Sequence, residues 1–454
     1  MRAGRHCRPP KVSGVVRTPS QRALGAVLVG VLAAGVSLGR LWLGNRDALQ
    51  ENLWAEDGLF PLCIHKADFF TCLSDPFAGY LLFLPRVLAW PVSALPIEAW
   101  ALGANLTAAA LAGLVSALAF LVMIRAGLGA FVSAAVALLP VITPMVGLEA
   151  INAMGSSYML LLFLSTLVLL FGPKTGWSRL DVGLIGVLLL VTALTIPSAV
   201  VLLFVAVIQL ARRVISLSVF GVWAGGLAVG LVAQAVVALT APTRRALNAN
   251  TESFNAWADS VPTSLLTYWP GLSIGEYSFF TNFSLAPLSV TGWLVVGAIV
   301  VVGLWKLRAG WRLDEGHSGA IGLLFLSGLA FGLIPSVIGY TNNRYFVVPL
   351  LLWGAAALVW LDPLIRRSRP WMVGILAALV LLIWWPAMPA SEYRSTPAPP
   401  WTAEVERIKA KCLSDPAFVD RPLFTPFWPP NWGDGLDEPT HPNLPCTTVF
   451  RWLG

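Results

Sequence analysis

Two adjacent carboxylates, Glu56 and Asp57, stand in the stretch LWAEDGLF. Trp54, Leu59 and Phe60 flank them, and Gly58 permits a sharp turn. A carboxylate among apolar and aromatic groups is partly desolvated, which raises its pKa towards the range of a general base. A solvated charged loop is the plain alternative. Further along, GLEAIN holds Glu149 and Asn152, YTNNRYFVVP holds Arg344 and Tyr345, and GYLLFLPR holds Arg86. Arginine is the side chain suited to bidentate phosphate binding. Glu276, between Gly275 and Tyr277, is a weaker acid candidate. His6, His65, His317 and His441 have no metal-ligand spacing, and the chain holds no HExxH or CxxC motif.

The elements that must position these residues are apolar. The chain has 454 residues, of which 57% are hydrophobic and only 12% charged, with a mean hydropathy of +0.75. A soluble domain carries about 25% charged residues. So low a charge over this length points to an integral membrane protein. It excludes a soluble enzyme, a nucleic-acid binder and a disordered chain. The net charge of +7 is therefore to be read against loop asymmetry, not as a nucleic-acid signal.

Residues 1–22 carry Arg2, Arg5, Arg8, Lys11, Arg17 and Arg22 and no acid. The apolar run from Ala23 to about Leu43 is long enough to cross a bilayer. This predicts an uncleaved first span behind a basic cytoplasmic tail. Further runs near 98–124, 128–147, 153–171, 182–196, 198–211, 217–240, 290–305, 319–340, 346–364 and 371–389 bring the expected spans to about 11. Thr195, Ile196, Pro197 and Ser198 predict two short helices meeting within 182–211. Segment 77–97 is apolar but contains Arg86 and three prolines. A charge at mid-bilayer is costly and prolines break the helix.

The positive-inside rule places 77–97 at the outer interface, as re-entrant or surface helices. The short cytoplasmic loops then collect Arg125, Lys174, Arg179, Arg212, Arg213, Lys306, Arg308, Arg312, Arg366, Arg367 and Arg369. Arg244, Arg245 and Arg344 fall outside. The C-terminus is then external as well. Cys63 and Cys72 share the first outer loop, and Cys412 and Cys446 share the tail, which suggests two disulfides on an oxidising face. Cys7 is left on the reducing side. The expected organisation is a cytoplasmic tail at 1–22 and a membrane domain at 23–389, with outer loops at 45–97 and 241–289. A small external region rich in Pro and Trp completes it at 390–454. The cytoplasmic loops are short and lack a Gly-rich phosphate cradle. Chemistry would then sit on the outer face, where nucleotide sugars are scarce and a substrate must arrive activated.

LWAEDGLF, GYLLFLPR, GLEAIN and NNRYFVVP, on this architecture, resemble the GT-C superfamily of polyprenyl-phosphate-sugar-dependent glycosyltransferases. More closely, the chain resembles membrane proteins of that type in high-GC Gram-positive bacteria. The resemblance implies an all-α, polytopic, GT-C-like protein of the bacterial plasma membrane. It would take a polyprenyl-phosphate sugar donor from the outer leaflet and pass the sugar to an envelope glycan or lipid acceptor. Asp57 or Glu56 would act as general base on the acceptor hydroxyl, and Arg344 or Arg86 would stabilise the leaving phosphate. Glu149, Asn152, Tyr345 and Trp54 would help to bind substrate. Family members also use a divalent metal, magnesium or manganese, held by carboxylates. Glu149 is a contributor in that case, with the remaining ligands open. Two other readings share the architecture: a transporter or flippase of lipid-linked envelope intermediates, and a non-catalytic partner in envelope assembly. Membrane lipids are partners in every case, and nucleic acid in none.

Overall fold

In a computed structural model of the chain the residues described are 18–53, 55–77, 79–172, 178–240, 251–263, 265, 288–312, 317–337, 343–385, 388–389, 400–415, 419–420 and 444–446. The elements run, with η marking a 3-10 turn, α1 (Pro19–Gly44), α2 (Ala48–Glu51), η1 (Ala55–Gly58), α3 (Leu59–Lys66), α4 (Phe69–Ser74), α5 (Phe83–Ser93), η2 (Ile97–Ala99), α6 (Trp100–Arg125), α7 (Ala130–Ile142), α8 (Val146–Glu149) and α9 (Ser157–Phe171). They continue α10 (Arg179–Thr195), η3 (Pro197–Ala199), α11 (Val200–Ala211), α12 (Leu217–Thr240), α13 (Thr251–Thr263), α14 (Leu288–Arg312), α15 (Ser318–Val337), η4 (Asn343–Phe346), α16 (Val347–Arg367), α17 (Pro370–Trp384) and α18 (Trp401–Ser414). Among the described residues the one sheet is a two-residue antiparallel pair, Val419–Asp420 with Leu444–Pro445.

Each apolar run of the sequence coincides with a helix, but they differ in reach. Among the described residues, six helical stretches are long and apolar enough to cross a membrane: Pro19–Gly44, Ile97–Arg125, Leu217–Thr240, Val290–Gly310, Ser318–Pro335 and Val347–Arg367. The other five are shorter, from 12 residues in α11 to 17 in α10. At 1.5 Å per residue those lengths cover about 18–26 Å, less than a hydrocarbon core of ~30 Å. The sequence shows why they stop. Pro140 sits in the last turn of α7, and the Thr143 hydroxyl takes the Leu139 carbonyl as the chain breaks. The α10–α11 break falls at Ile196–Pro197, as the sequence predicts. Residues 77–97 form the 11-residue α5 and short turns; α5 alone is about 16 Å long.

Small residues bring the long helices together. A Cβ on Gly30 of α1 would lie 2.9 Å from the Gly113 carbonyl of α6, and one on Gly113 would lie 2.7 Å from the Gly30 carbonyl. Gly226 of α12 meets the Gly186 carbonyl of α10 in the same way. In an apolar solvent such close backbone approach supplies the dispersion contact that the hydrophobic effect cannot. The main core gathers around α9, which is apolar on all sides and nearly all buried among α6, α10, α11, α15 and α16.

A second apolar cluster lies over one end of the bundle. It joins Leu53, Phe60, Leu62, Leu82, Val92 and Trp100 to Trp401, Val405, Ile408 and Cys412 of α18. The first loop and the C-terminal helix therefore share one core and form one cap. The cap is clasped by polar contacts. Glu51 accepts the Thr402 N–H at 2.9 Å and its hydroxyl at 2.8 Å. The Trp401 indole donates to the Ile97 carbonyl at 2.7 Å, and the Lys409 ammonium to Glu98 at 2.6 Å. Trp100 stacks on both His65 and Trp401. Disulfides join Cys63 to Cys72 and Cys412 to Cys446, as the cysteine positions suggest.

Candidate functional site

The acidic pair lies on η1, directly under the cap. The Asp57 carboxylate is only 1% exposed. Its Oδ2 accepts the Met154 N–H at 3.0 Å and its Oδ1 the Gly155 N–H at 2.7 Å. These two amides belong to the turn that follows α8 and GLEAIN. Asp57 thus fastens the first loop to that turn by charge-assisted bonds, the stronger kind. The backbone of Glu56 sits in η1, and its side chain lies outside the described residues, as does all of Trp54.

The turn itself is held from below. Asn152 adopts φ +52°, the left-handed region that Asn tolerates better than most residues. Its Oδ1 accepts the Ser37 hydroxyl at 2.6 Å, and its Nδ2 donates to the Ser37 carbonyl at 2.9 Å. Both ends of the Asn152 amide therefore serve α1. Three residues further along α1, Arg40 is 1% exposed. It donates to the carbonyls of Val141 (2.7 Å), Thr143 (2.9 Å), Pro144 (3.1 Å) and Met388 (2.6 Å). Between these anchors lies a cavity of about 20 Å3 lined by Ser37, Asn152, Ser156, Val347 and Leu351 among others. That is room for about one water molecule.

η4, which carries Arg344 and Tyr345, packs against α8, the helix that carries Glu149. Tyr345 is half-buried; the side chains of Glu149 and Arg344 lie outside the described residues. Three backbone elements singled out by sequence therefore meet at one end of the bundle: η1, the α8 turn and η4. Arg86 does not join them. It is 4% exposed on α5, donates to the Cys72 carbonyl, and lies 3.7 Å from Asp75. Burial lowers its pKa to about 10, against the opposing pull of Asp75. Its contacts tie α5 to the disulfide-bonded end of α4.

Several polar residues that the sequence reading passed over prove central. Arg40 lies inside the first apolar run. Asn105 of α6 donates to the carbonyls of Leu49 (3.2 Å) and Asn52 (3.0 Å), stopping α2 in place. Gln234 of α12 accepts the Leu81 N–H at 2.9 Å and donates to the Leu194 carbonyl at 2.9 Å. The available signal was a lone polar residue in an apolar helix, which is costly unless satisfied. Asp259 of α13 also escaped notice; burial raises its carboxyl pKa above the ordinary range. Glu276, Tyr340 and Cys7 lie outside the described residues.

Among the described residues, no three His, Cys, Asp or Glu side chains come together as metal ligands. Both oxygens of Asp57 accept backbone amides. The sequence matches no model of a known protein family and no curated protein.

Proposed function

We propose that the chain is a glycosyltransferase that moves a sugar from a polyprenyl-phosphate donor to an envelope glycan or lipid acceptor at the capped face of the membrane. What supports this reading is the meeting of η1, the α8 turn and η4, which gathers the Glu56–Asp57 pair and the Glu149 and Arg344 backbones at one end of an apolar bundle. In this proposal Asp57 is a positioning residue. Its carboxylate is 1% exposed and bonded to two amides, so it fixes η1 and leaves Glu56 as the general base. Glu56 takes the proton of the acceptor hydroxyl, and the oxygen bonds to the anomeric carbon. The bond from that carbon to the phosphate oxygen breaks, and the polyprenyl phosphate departs with the electron pair. Arg344 would offset the charge growing on the leaving phosphate. A donor already activated in the lipid explains how such a site works without a cytosolic nucleotide.

The test uses membranes from cells expressing the full chain and a radiolabelled polyprenyl-phosphate sugar. Glu56→Gln is expected to lower transfer by roughly 10²- to 10⁴-fold without loss of folding, the usual contribution of a general base. Asp57→Asn is expected to lower thermal stability together with transfer, because the 154–155 amides lose a charged acceptor. Unchanged transfer by both variants would sink the reading.

A further inference from the structure

At the end of the bundle away from the cap, Lys306 of α14 is held between two indoles. Its ammonium lies 4.6 Å from the Trp305 ring centroid and 4.2 Å from that of Trp360 on α16. The two rings meet edge to face at 6.4 Å. Both remain open to the surroundings, Trp305 at 56% and Trp360 at 43% exposure. The indole faces satisfy the charge of Lys306 in part. They accept none of its three N–H bonds, and each indole brings a further N–H. Among the described residues no hydrogen-bond acceptor meets the Lys306 ammonium or the two indole N–H groups.

Further cations stand at the same ends of these helices. Arg308 follows on α14, and Arg367 and Arg369 lie just past it at the end of α16; all three are exposed. Among the described residues none of them, nor Lys306, pairs with a carboxylate. By contrast, Arg366 is bound to Asp362 at 2.7 Å and Arg125 to Asp181 at 3.7 Å. Asp314 and Glu315 follow in the sequence, outside the described residues. On the bilayer side the same face of α14 is apolar and uncovered, with Leu294 and Val301 exposed at seven- and four-residue steps up to Trp305.

We infer that this clamp binds an anionic glycerophospholipid. Its phosphate accepts from Lys306 and the two indoles, and its acyl chains lie along the Leu294–Val301 stripe. Cations at the ends of two helices beside an exposed apolar stripe are complementary to a charged headgroup on two chains. A zwitterionic lipid fits less well, because its own cation would face Lys306 and the arginines. The inference does not depend on the sugar-transfer reading, since it concerns the opposite end of the bundle.

The test is native mass spectrometry of the full chain, released from micelles containing equal amounts of phosphatidylglycerol and phosphatidylcholine. The wild type is expected to retain phosphatidylglycerol in preference. Lys306→Arg should keep that preference, and Lys306→Gln should reduce it by about fivefold, the weight of one cation near a membrane surface. Should Lys306→Gln not fold, the surface variant Arg308→Gln/Arg367→Gln/Arg369→Gln must reduce the preference instead. Equal retention of the two lipids by the wild type overturns the inference. So does a preference that survives the loss of Lys306, or of the three arginines.

Discussion

Asn152, which the sequence offers as a substrate-binding residue, fastens the turn after α8 to α1 in the structure. The residue combines a left-handed backbone with two hydrogen bonds to Ser37. These two contributions separate by substitution. Asn152→Gly keeps the backbone at ease and loses the bonds, whereas Asn152→Ala loses the bonds and adds a strain of about 1–2 kcal/mol for a residue with a Cβ. In thermal unfolding of the detergent-solubilised protein, the Ala variant is expected to melt below the Gly variant, and both below wild type. Equal melting of the two variants would mean the turn relaxes out of the left-handed region. At this scale the sequence was partly legible. LWAEDGLF and GLEAIN do meet, through Asp57 and the 154–155 amides. That Asp57 would be spent on backbone amides was not legible, because the amides lie almost a hundred residues away in the chain.

At the scale of elements, the docking of α18 on the first loop is the feature with the most separable parts. Trp401 and Thr402 fix its start, Lys409 its middle and the Cys412–Cys446 bond its end. The hydrogen bonds it donates to Glu98 and then Glu406 hold the Lys409 ammonium above its ordinary pKa of 10.5. A cation whose folded pKa is raised contributes fully below the unfolded pKa and loses its contribution as pH rises through the folded one. The α18 clasp should therefore be intact at neutral pH and weaken above about pH 10.5, the unperturbed value for lysine. Limited proteolysis across that range is the measurement. Lys409→Met should cleave within α18 at neutral pH as readily as the wild type does only in alkali; cleavage that is independent of both would remove Lys409 from the clasp. The sequence located both disulfides because four cysteines fall in two loop regions. The docking itself depends on Trp401 stacking against Trp100, a pairing that no local pattern announces.

For the whole molecule, the cap makes one topological demand. Residues 45–97 and α18 share a core, so they lie on the same side of any membrane the long helices cross. The Trp305–Lys306–Trp360 clamp and Arg369 lie at the other end of the bundle. Single cysteines at Ala67, Leu413 and Arg369, in a background that keeps the two disulfides, should react with a membrane-impermeant maleimide in two classes. Ala67→Cys and Leu413→Cys are expected to label from outside intact cells, and Arg369→Cys only after lysis. Labelling of Leu413→Cys and Ala67→Cys from opposite sides would break the shared cap. Composition and runs of about twenty apolar residues point to the bilayer as solvent and to an all-helical fold, because both respond to the bilayer directly. The sequence also located the helices and the cysteine pairs, which follow from local periodicity and from which loop a residue occupies. How far each helix extends, and which acids and arginines their neighbours hold, emerges from the packed structure. The same packing joins α18 to the first loop. Those outcomes depend on contacts between residues far apart in the chain, whose energy appears only once the helices have packed.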